Sequence, residues 1–490
     1  MAHDRQRLGI PRAVLDEGCG RPGCRGAGAV GGRELMRRTV AVLAGKATGA
    51  LSRATGRGGG TTLPGDVARV IDRGILRKLA AELTGGAVLV TGTNGKTTTS
   101  RLVAALLDGL PAGRVVANRA GANLIYGVTA SAVAGAGLDG RLHADWAVFE
   151  VDEATLPIAV EEIRPRAVLV GNLFRDQLDR YGELELLAQT IQRALERLPQ
   201  SGHAVLNADD PRVGEIGLNL HRPPIWYGLE DPRVAAPELP HAADARTCPR
   251  CGSSLRFRVV YYGHEGIYEC PNGDFGRPEL DLAGVDVRLD GLDSVEVTAA
   301  GTRLRVPLGG LYNVYNVVGA FAVGGALGLD PDYMAERLRG AAAAFGRQER
   351  FERDGRRFTM MLSKNPTGFN EILRESERAS GRHFLIGLND RIADGRDVSW
   401  IWDVDFELLA GRADLVVPTG VRAHDLAVRL KYAGVSPVEP PEPDLGRAID
   451  RLIEATPPGA EGFLLCTYTA MLDLRALLVR RGWLRPYWVT

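Results

Sequence analysis

A glycine-rich loop near residue 92 has the most readily inferred chemistry in the sequence. Residues 91–98 read Thr-Gly-Thr-Asn-Gly-Lys-Thr-Thr and follow the apolar run Ala-Val-Leu-Val. Between a strand and a helix, such a loop holds phosphate groups through backbone N–H groups and the helix N-terminus. Lys-Thr-Thr at this spacing disfavours the alternative, a plain glycine-rich turn. The predicted nucleotide contacts are Gly92, Thr93, Asn94, Gly95, Lys96, Thr97 and Thr98.

Within this loop, Lys96 is expected to reach the β- and γ-phosphates, and the Thr97 hydroxyl to hold Mg²⁺. Glu150 ends the apolar segment at residues 146–150. A carboxylate at the carboxyl end of a strand faces the ligand crevice of a parallel sheet. We therefore expect Glu150 to be a Mg²⁺ ligand together with Thr97, and a surface carboxylate is the alternative.

Two amides farther along the chain could bind the base. Asn313 and Asn316 stand three residues apart at the start of a helical segment. Two amides at this spacing can hydrogen-bond a base edge. Helix capping by Asn313 explains the pattern equally well.

Three of the six cysteines, Cys248, Cys251 and Cys270, lie close together in the sequence. Six cysteines in 490 residues do not make a disulfide framework, whereas clustered cysteines are typical of a metal site. An alternating apolar stretch lies between them, which predicts a short β-ribbon. We therefore expect an inserted, metal-binding ribbon at 246–280.

The elements that must position these residues alternate along the chain. Strand-like runs are separated by helical stretches, which predicts a mostly parallel sheet with helices on both faces. The expected strands lie near 87–90, 146–150, 167–172, 202–207, 357–362, 383–388, 414–417 and 462–466, and a long Ala-rich helical stretch covers 313–343.

The predicted fold class is α/β in at least two units. We expect a tail and a helix at 1–57. Residues 1–35 are rich in glycine, and Met36 is an alternative position for the start of the protein. An ATP-binding domain with a mostly parallel sheet is predicted at 58–345, and it contains the inserted segment 246–280. A Rossmann-like α/β domain is predicted at 346–490.

Composition excludes several classes of function. The 60 basic and 60 acidic residues balance to a formal net charge of zero, so nothing global indicates nucleic acid as a partner. The sequence contains no run of 18 or more apolar residues, so we predict no membrane span. The N-terminus has no apolar core of signal-peptide type. A cytoplasmic protein is the expectation.

The order of these motifs resembles the Mur ligase family from about residue 60 onward. It is similar, more narrowly, to the MurT branch of that family, the ligase-like subunits of lipid II isoglutaminyl synthase. The phosphate loop, Glu150 and the Asn-x-x-Asn pair at 313–316 carry the broader resemblance. The narrower one rests on the cysteine ribbon and on residues 175–182, 363–368, 390–403 and 466–471.

This resemblance implies a reaction. ATP would phosphorylate the α-carboxylate of D-glutamate in the lipid II stem peptide, and ammonia would attack the acyl phosphate to give D-isoglutamine. The resemblance also implies that the ammonia comes from a separate glutaminase subunit resembling GatD. The chain shows no glutaminase signature of its own. The protein would work in peptidoglycan synthesis, at the inner face of the membrane.

The resemblance also assigns roles to residues. Thr97 and Glu150 look like Mg²⁺ ligands, Asn313 would meet the adenine, and Arg347 would meet the nucleotide from the domain junction. In the C-terminal domain, Asp394 would orient the partner's catalytic histidine as the third member of a triad. Asp390 and Asp397 are the fallback candidates, and a loop aspartate that caps a helix is the alternative.

The sequence departs from the wider family at three places. Gln177 stands where many amino-acid-adding members have a histidine, and no lysine lies between Asp176 and Asn207 to be carbamylated. In the ribbon, Gly273 occupies the place of the family's fourth cysteine. A structural Zn²⁺ site needs four ligands, so Asp274 or His264 would have to substitute, or the ribbon holds no metal.

Two other functions remain open at this stage. One is a stand-alone ligase that adds an amino acid, as peptidoglycan and folylpolyglutamate ligases do. Gln177, the absent lysine and residues 390–403 argue against it. The other is a scaffold subunit with a structural nucleotide, which the intact phosphate loop, Glu150 and Arg347 disfavour.

Overall fold

A large, mostly parallel sheet organises the first part of the chain in this computed structural model. The structure describes residues 32–54, 62–118, 121–175, 181–240, 243–341, 347–378 and 381–485. The strands up to residue 306 are β1 (Gly86–Thr91), β2 (Val115–Ala117), β3 (Trp146–Glu150), β4 (Ala167–Val170), β5 (His203–Asn207), β6 (Ile225–Leu229), β7 (Arg256–Tyr262), β8 (Glu265–Glu269), β9 (Leu282–Asp290), β10 (Ser294–Ala299) and β11 (Thr302–Val306).

Within these described residues, the sheet has the order β11-β10-β9-β6-β5-β4-β1-β3-β2. The strands from β2 to β9 run parallel, and β10 and β11 add an antiparallel edge. The strands β7 and β8 form a separate antiparallel hairpin, which is the predicted inserted ribbon. Because the carboxyl ends of the parallel strands share one edge, the loops after β1, β3, β4 and β5 meet there.

Helices cover both faces of this sheet. Alternate residues of β1 enter different cores, with Val88 and Val90 on one face and Ala87 and Leu89 on the other, as the two-residue period of a strand requires. The helices are α1 (Gly32–Ala54), α2 (Leu63–Ile71), α3 (Ile75–Ala80), α4 (Lys96–Asp108), α5 (Ile125–Gly135), α6 (Leu156–Ile163), α7 (Tyr181–Leu195), α8 (Pro211–Leu218), α9 (Leu311–Ala326) and α10 (Pro331–Arg339). The helices α4, α9 and α10 pack on one face, and the others on the opposite face.

The helical stretch predicted at 313–343 is divided into two helices. After α9, Gly328 adopts a positive φ of 79°, a conformation that favours glycine. Asp330 then caps α10 by accepting hydrogen bonds from the N–H groups of Asp332 and Tyr333, and Pro331 is the first helical residue. The turn at Gly328 and the cap at Asp330 therefore end one helix and begin another within the Ala-rich stretch.

A second, smaller sheet forms the C-terminal part. Its strands are β12 (Arg347–Arg353), β13 (Arg356–Leu362), β14 (His383–Gly387), β15 (Leu415–Thr419) and β16 (Glu461–Cys466), and among the described residues their order is β12-β13-β16-β14-β15. Only β12 is antiparallel to its neighbour. The helices are α11 (Pro366–Arg378), α12 (Ala423–Tyr432), α13 (Leu445–Ala455) and α14 (Tyr468–Arg480). The predicted α/β class with a second Rossmann-like unit is confirmed, and the domain boundaries stay predictions.

The described residues contain no candidate membrane-spanning helix. None of their helices combines the length and the apolar character that crossing a membrane requires.

Candidate functional site

The phosphate loop connects β1 to α4 in a conformation that requires glycine. Gly92 and Gly95 have positive φ angles of 124° and 84°. A Cβ atom on Gly95 would lie 2.1 Å from Oδ1 of Asn316, so no side chain fits there. The loop therefore turns tightly into the N-terminus of α4, where backbone N–H groups can meet an anion.

Lys96 is the first residue of α4, and its side chain is buried at the loop. Its ammonium donates to the backbone oxygen of Gly92 and forms an ion pair with Glu153, with Nζ 2.9 Å from Oε1. Burial and the charge of Glu153 raise the pKa of the adjacent Asp152. Phosphate oxygens that enter this loop would compete with Glu153 for the ammonium group. Sequence reasoning missed Glu153, although it lies three residues beyond Glu150.

Thr97 and Glu150 come together as the sequence predicts for a Mg²⁺ site. The Thr97 hydroxyl donates to Oε2 of Glu150 across 2.6 Å, and both side chains are buried. The Asn118 side chain holds the backbone of Glu150 in place. Its Oδ1 accepts from the N–H of Glu150 at 2.8 Å, and its Nδ2 donates to the C=O of Glu150 at 2.7 Å. Neighbouring ligands of octahedral Mg²⁺ lie roughly 3 Å apart. These two oxygens therefore fit adjacent positions around one Mg²⁺ ion.

The two amides of α9 connect that helix to α4. Asn316 accepts a hydrogen bond from the Thr99 hydroxyl at 3.0 Å and donates to Oδ1 of Asn313 at 2.9 Å. Asn313 in turn donates to the backbone oxygen of Gly309 at 2.6 Å. Among the described residues, Asn316 lines the adjacent cleft and Asn313 does not. The contact predicted between Asn313 and the adenine base stays a prediction. Asn316 has polar side-chain atoms closer to the cleft than those of Asn313.

A cleft opens beside the phosphate loop, between the two α/β units. Lys364 and Asn365, which precede α11, line it from the C-terminal unit. Nδ2 of Asn365 lies 3.0 Å from Oδ1 of Asn94, so the two units touch at the loop itself. The remaining lining residues are Gly95, Asn172, Tyr262, Tyr312, Tyr315, Asn316, Met361, Leu362, Gly368, Glu371 and Ile372. Residues 363–368 were singled out in the sequence as a motif that contains Lys364, but the motif did not indicate what Lys364 does.

The three candidate aspartates of the C-terminal unit follow β14 and have different surroundings. Asp394 is 6% exposed. Its carboxylate accepts from the backbone N–H of Thr469 at 2.8 Å and from the Thr469 hydroxyl. Asp390 is 29% exposed, and its Oδ2 lies 3.5 Å from Nη1 of Arg422. Asp397 accepts from the N–H of Ser399 at 2.7 Å. Asp394 thus caps the first turn of α14, whereas Asp390 is the more accessible carboxylate.

The three clustered cysteines gather with Asp274 at one end of the ribbon. The four ligand atoms of Cys248, Cys251, Cys270 and Asp274 all lie within 4.8 Å of one another. The Cys251 and Cys270 sulfurs are 3.4 Å apart, and Sγ of Cys248 is 3.5 Å from Oδ1 of Asp274. His264 lies elsewhere, with Nε2 3.2 Å from Oδ2 of Asp210. Of the two substitutes for the fourth cysteine, the structure brings only Asp274 into the cluster.

Some candidate residues lie outside the described part of the chain. These are residues 1–31, Asp176, Gln177 and the side chain of Arg347. Their predicted roles stay predictions.

Comparisons with known proteins identify related chains. Residues 90–239 match the Mur ligase middle domain, and residues 362–471 match the MurT ligase C-terminal domain. The chain is 33% identical over 461 residues to the lipid II isoglutaminyl synthase (glutamine-hydrolyzing) subunit MurT of Streptococcus pneumoniae, which covers 91% of this chain and 98% of that protein. It is 32% identical over 406 residues to the same subunit of Staphylococcus aureus strain COL, which covers 82% and 89%.

Two solved structures share the fold. A pseudomurein peptide ligase type C from Methanothermus fervidus has a TM-score of 0.61 at 22% identity and covers 81% of this chain and 79% of that one. MurF from Acinetobacter baumannii has a TM-score of 0.62 at 18% identity and covers 84% and 80%. At these identities the likeness shows the fold alone.

Proposed function

Because the chain belongs to the MurT branch of the Mur ligase family, we propose that it is the ligase subunit of a lipid II isoglutaminyl synthase. It uses ATP and ammonia to convert the α-carboxylate of D-glutamate in the lipid II stem peptide to the amide. The observation that carries this proposal is the 33% identity to a MurT subunit over 98% of that protein's length. The reaction takes place in the cytoplasm, at the inner face of the membrane.

The chemistry requires activation of a carboxylate. A carboxylate oxygen attacks the γ-phosphorus of ATP, ADP leaves, and the acyl phosphate now carries a good leaving group. Ammonia attacks the acyl carbon, inorganic phosphate departs, and the nitrogen loses a proton to give the amide. Lys96 and the N–H groups that open α4 stabilise negative charge on the transferred phosphoryl group. Thr97 and Glu150 would hold Mg²⁺, which supplies further charge neutralisation.

The ammonia comes from a glutaminase partner that resembles GatD. Among the cysteines that the structure describes, three belong to the ribbon cluster and Cys466 is buried. Burial raises the pKa of the Cys466 thiol to about 12, so this group is a poor nucleophile at neutral pH. In this scheme Asp394 orients the partner's catalytic histidine across the interface, and Asp390 or Asp397 is the fallback.

One assay tests the function against its nearest alternative. The purified chain, with and without the glutaminase, is given lipid II, ATP and either ammonium or glutamine. We expect amidation with ammonium by the chain alone, and amidation with glutamine only in the complex. Incorporation of an amino acid in place of ammonia would identify a stand-alone amino-acid ligase and overturn the proposal. ATP binding without any turnover would indicate a scaffold subunit.

We propose in addition that the ribbon cluster holds Zn²⁺ through Cys248, Cys251, Cys270 and Asp274. Three thiolates and one carboxylate make a four-ligand set that zinc accepts, and these atoms already lie together. We expect about one Zn²⁺ per purified chain by elemental analysis, and roughly tenfold or greater loss of affinity in Asp274→Ala.

Two matched variants control this experiment. Asp274→Cys restores a four-cysteine set and is expected to keep the metal. Glu279→Ala removes an exposed carboxylate five positions farther along and is expected to change nothing. A purified wild-type chain that contains no zinc and does not take it up would refute the metal site.

A further inference from the structure

The tip of the ribbon hairpin is buried inside the protein. Tyr262 and Glu265 end and begin the two hairpin strands, and together with His264 they are almost completely removed from solvent. A Cβ atom on Gly263, which has a positive φ of 56°, would lie 2.7 Å from the Phe174 ring and 2.8 Å from Cγ2 of Thr367. The turn is therefore inserted between the loop that follows β4 and the C-terminal unit.

Two contacts fix the tip against the loops that follow β4 and β5. His264 lies against the Phe174 ring, with ring centroids 4.4 Å apart, and faces Asp210. Oδ2 of Asp210 also accepts from the N–H of Leu173 at 2.7 Å. The hairpin tip thus has a defined place at the carboxyl edge of the large sheet.

Tyr262 reaches the phosphate loop directly. Its hydroxyl accepts a hydrogen bond from Nδ2 of Asn94 at 3.2 Å. Burial raises the pKa of this phenol well above its ordinary value, so it stays neutral. The oxygen of the same Asn94 side chain faces Nδ2 of Asn365 at 3.0 Å. Tyr262 therefore orients an amide that connects the phosphate loop to the C-terminal unit.

Glu265 reaches the same loop through one intermediate residue. Its carboxyl group accepts from Nδ2 of Asn207 at 3.0 Å and lies beside the Asn172 side chain, and its buried Oε2 has no hydrogen-bond partner among the described residues. Asn172 accepts from the N–H of Asn94 at 2.8 Å through its side-chain oxygen. Its backbone oxygen accepts from the N–H of Thr93, also at 2.8 Å. Since an amide has one donor end and one acceptor end, a carboxyl group beside Asn172 favours the orientation in which the acceptor end faces the phosphate loop.

We propose that the hairpin tip is a positioning element of the nucleotide site, with Tyr262 and Glu265 as its positioning residues. Neither needs to touch ATP, because each acts through Asn94 or Asn172 on the backbone that receives the phosphates. Cys270 directly follows β8 and lies five residues from Glu265, roughly 16 Å along an extended strand. A metal held at the cluster end therefore stabilises the hairpin whose tip supports the loop. Binding of metal at the cluster is therefore expected to increase the affinity of the phosphate loop for ATP.

The test compares two neighbouring tyrosines. Tyr262→Phe removes the hydroxyl that faces Asn94. Tyr261→Phe is the matched control, because its hydroxyl accepts from the N–H of Asp231 at 3.0 Å, away from the loop. We expect Tyr262→Phe to raise the Kd for ATP by about three- to tenfold and Tyr261→Phe to leave it unchanged. Calorimetric titration of ATP into the full chain measures both.

Glu265 is tested by KM and kcat for ammonium-dependent amidation. Glu265→Ala is expected to raise KM for ATP by roughly tenfold or more, with a smaller change in kcat. Glu265→Gln keeps an acceptor oxygen, so its KM for ATP is expected to stay close to the wild-type value. Removal of the metal with a chelator is expected to weaken ATP binding in the same direction. If both tyrosine variants bind ATP as the wild type does, the positioning role is refuted. This inference rests on ATP binding by the wild type, so a wild type that fails to bind ATP would refute the proposed function as well.

Discussion

Replacing Asp394 by asparagine separates the structural role of its carboxylate from the catalytic role proposed for it. The carboxylate is 6% exposed and accepts from both the N–H and the hydroxyl of Thr469, in the first turn of α14. Removal of a helix cap costs about 0.5–2 kcal/mol, and loss of a negative charge near a helix N-terminus costs about 0.3–1 kcal/mol. Asparagine keeps one acceptor oxygen, so we expect a net loss of roughly 1–2 kcal/mol. Urea unfolding measures this cost, which is too small to unfold the domain.

The activity assay then tests the catalytic role. The complex with the glutaminase is assayed with glutamine and, separately, with ammonium. If Asp394 orients the partner's histidine, glutamine-dependent amidation falls on the order of 10³-fold or more, while ammonium-dependent amidation stays within about twofold of the wild type. Equal losses with both nitrogen sources would show that Asp394 is structural only.

Asp390→Asn is the matched control for this experiment. Asp390 is 29% exposed beside Arg422, and a pair at this exposure contributes little to stability. We expect Asp390→Asn to keep both activities. Selective loss of the glutamine-dependent reaction in Asp390→Asn, with Asp394→Asn active, would assign the triad position to Asp390 and refute the choice of Asp394.

Three further predictions concern the nucleotide site and the C-terminal unit. Lys96→Met removes the charge paired with Glu153 and should lower kcat for ammonium-dependent amidation by roughly 10²-fold or more; the melting temperature should fall as well, because the buried Glu153 carboxylate loses its partner, and a fully active variant would contradict the assigned role. Gly95→Ala should abolish detectable ATP binding in a titration, because its Cβ would lie 2.1 Å from Oδ1 of Asn316, and normal binding would show that the loop is not the nucleotide site. Burial raises the pKa of Glu375 from 4.5 to about 7. The folded state thus binds this proton more tightly than the unfolded state, and stability falls as the pH rises from about 4.5 to 7. Glu375→Gln should therefore gain up to roughly 3 kcal/mol over the wild type at pH 8 and little at pH 4.5, measured as urea midpoints; a pH-independent difference would contradict the assignment.

Local patterns predicted the elements because their causes are local. The strands β1, β3, β4, β5, β13, β14, β15 and β16 appear within a few residues of the predicted runs. The strands β2, β6, β9 to β11 and β12 were missed. Strands β2 and β6 pair with neighbours distant in the sequence, whereas β9, β10 and β11 form consecutive hairpins. The stretch at 313–343 was predicted as one helical segment from its Ala-rich composition, which does not register the turn at Gly328 and Pro331.

Within the site, the phosphate loop and the proximity of Thr97 to Glu150 were predictable. A strand, a glycine-rich turn and a helix form a local unit, and the edge shared by parallel strands brings Glu150 to it. Glu153, Lys364 and the tyrosines of the hairpin tip carried no local pattern that indicated a role. Their positions depend on how segments from different parts of the chain pack together.

The sequence by itself determined the α/β class, the nucleotide loop, the cysteine ribbon and the resemblance that indicates amidation. These follow from residue types and short spacings, which remain the same however the chain folds. Only the tertiary structure decided that Asp274 rather than His264 joins the cysteines, that Asp394 caps α14, and that the hairpin tip supports the phosphate loop. The partners in those contacts are up to about 170 residues apart, as for Asn94 and Tyr262. Chain folding alone brings such groups within hydrogen-bonding distance, so no sequence spacing records them.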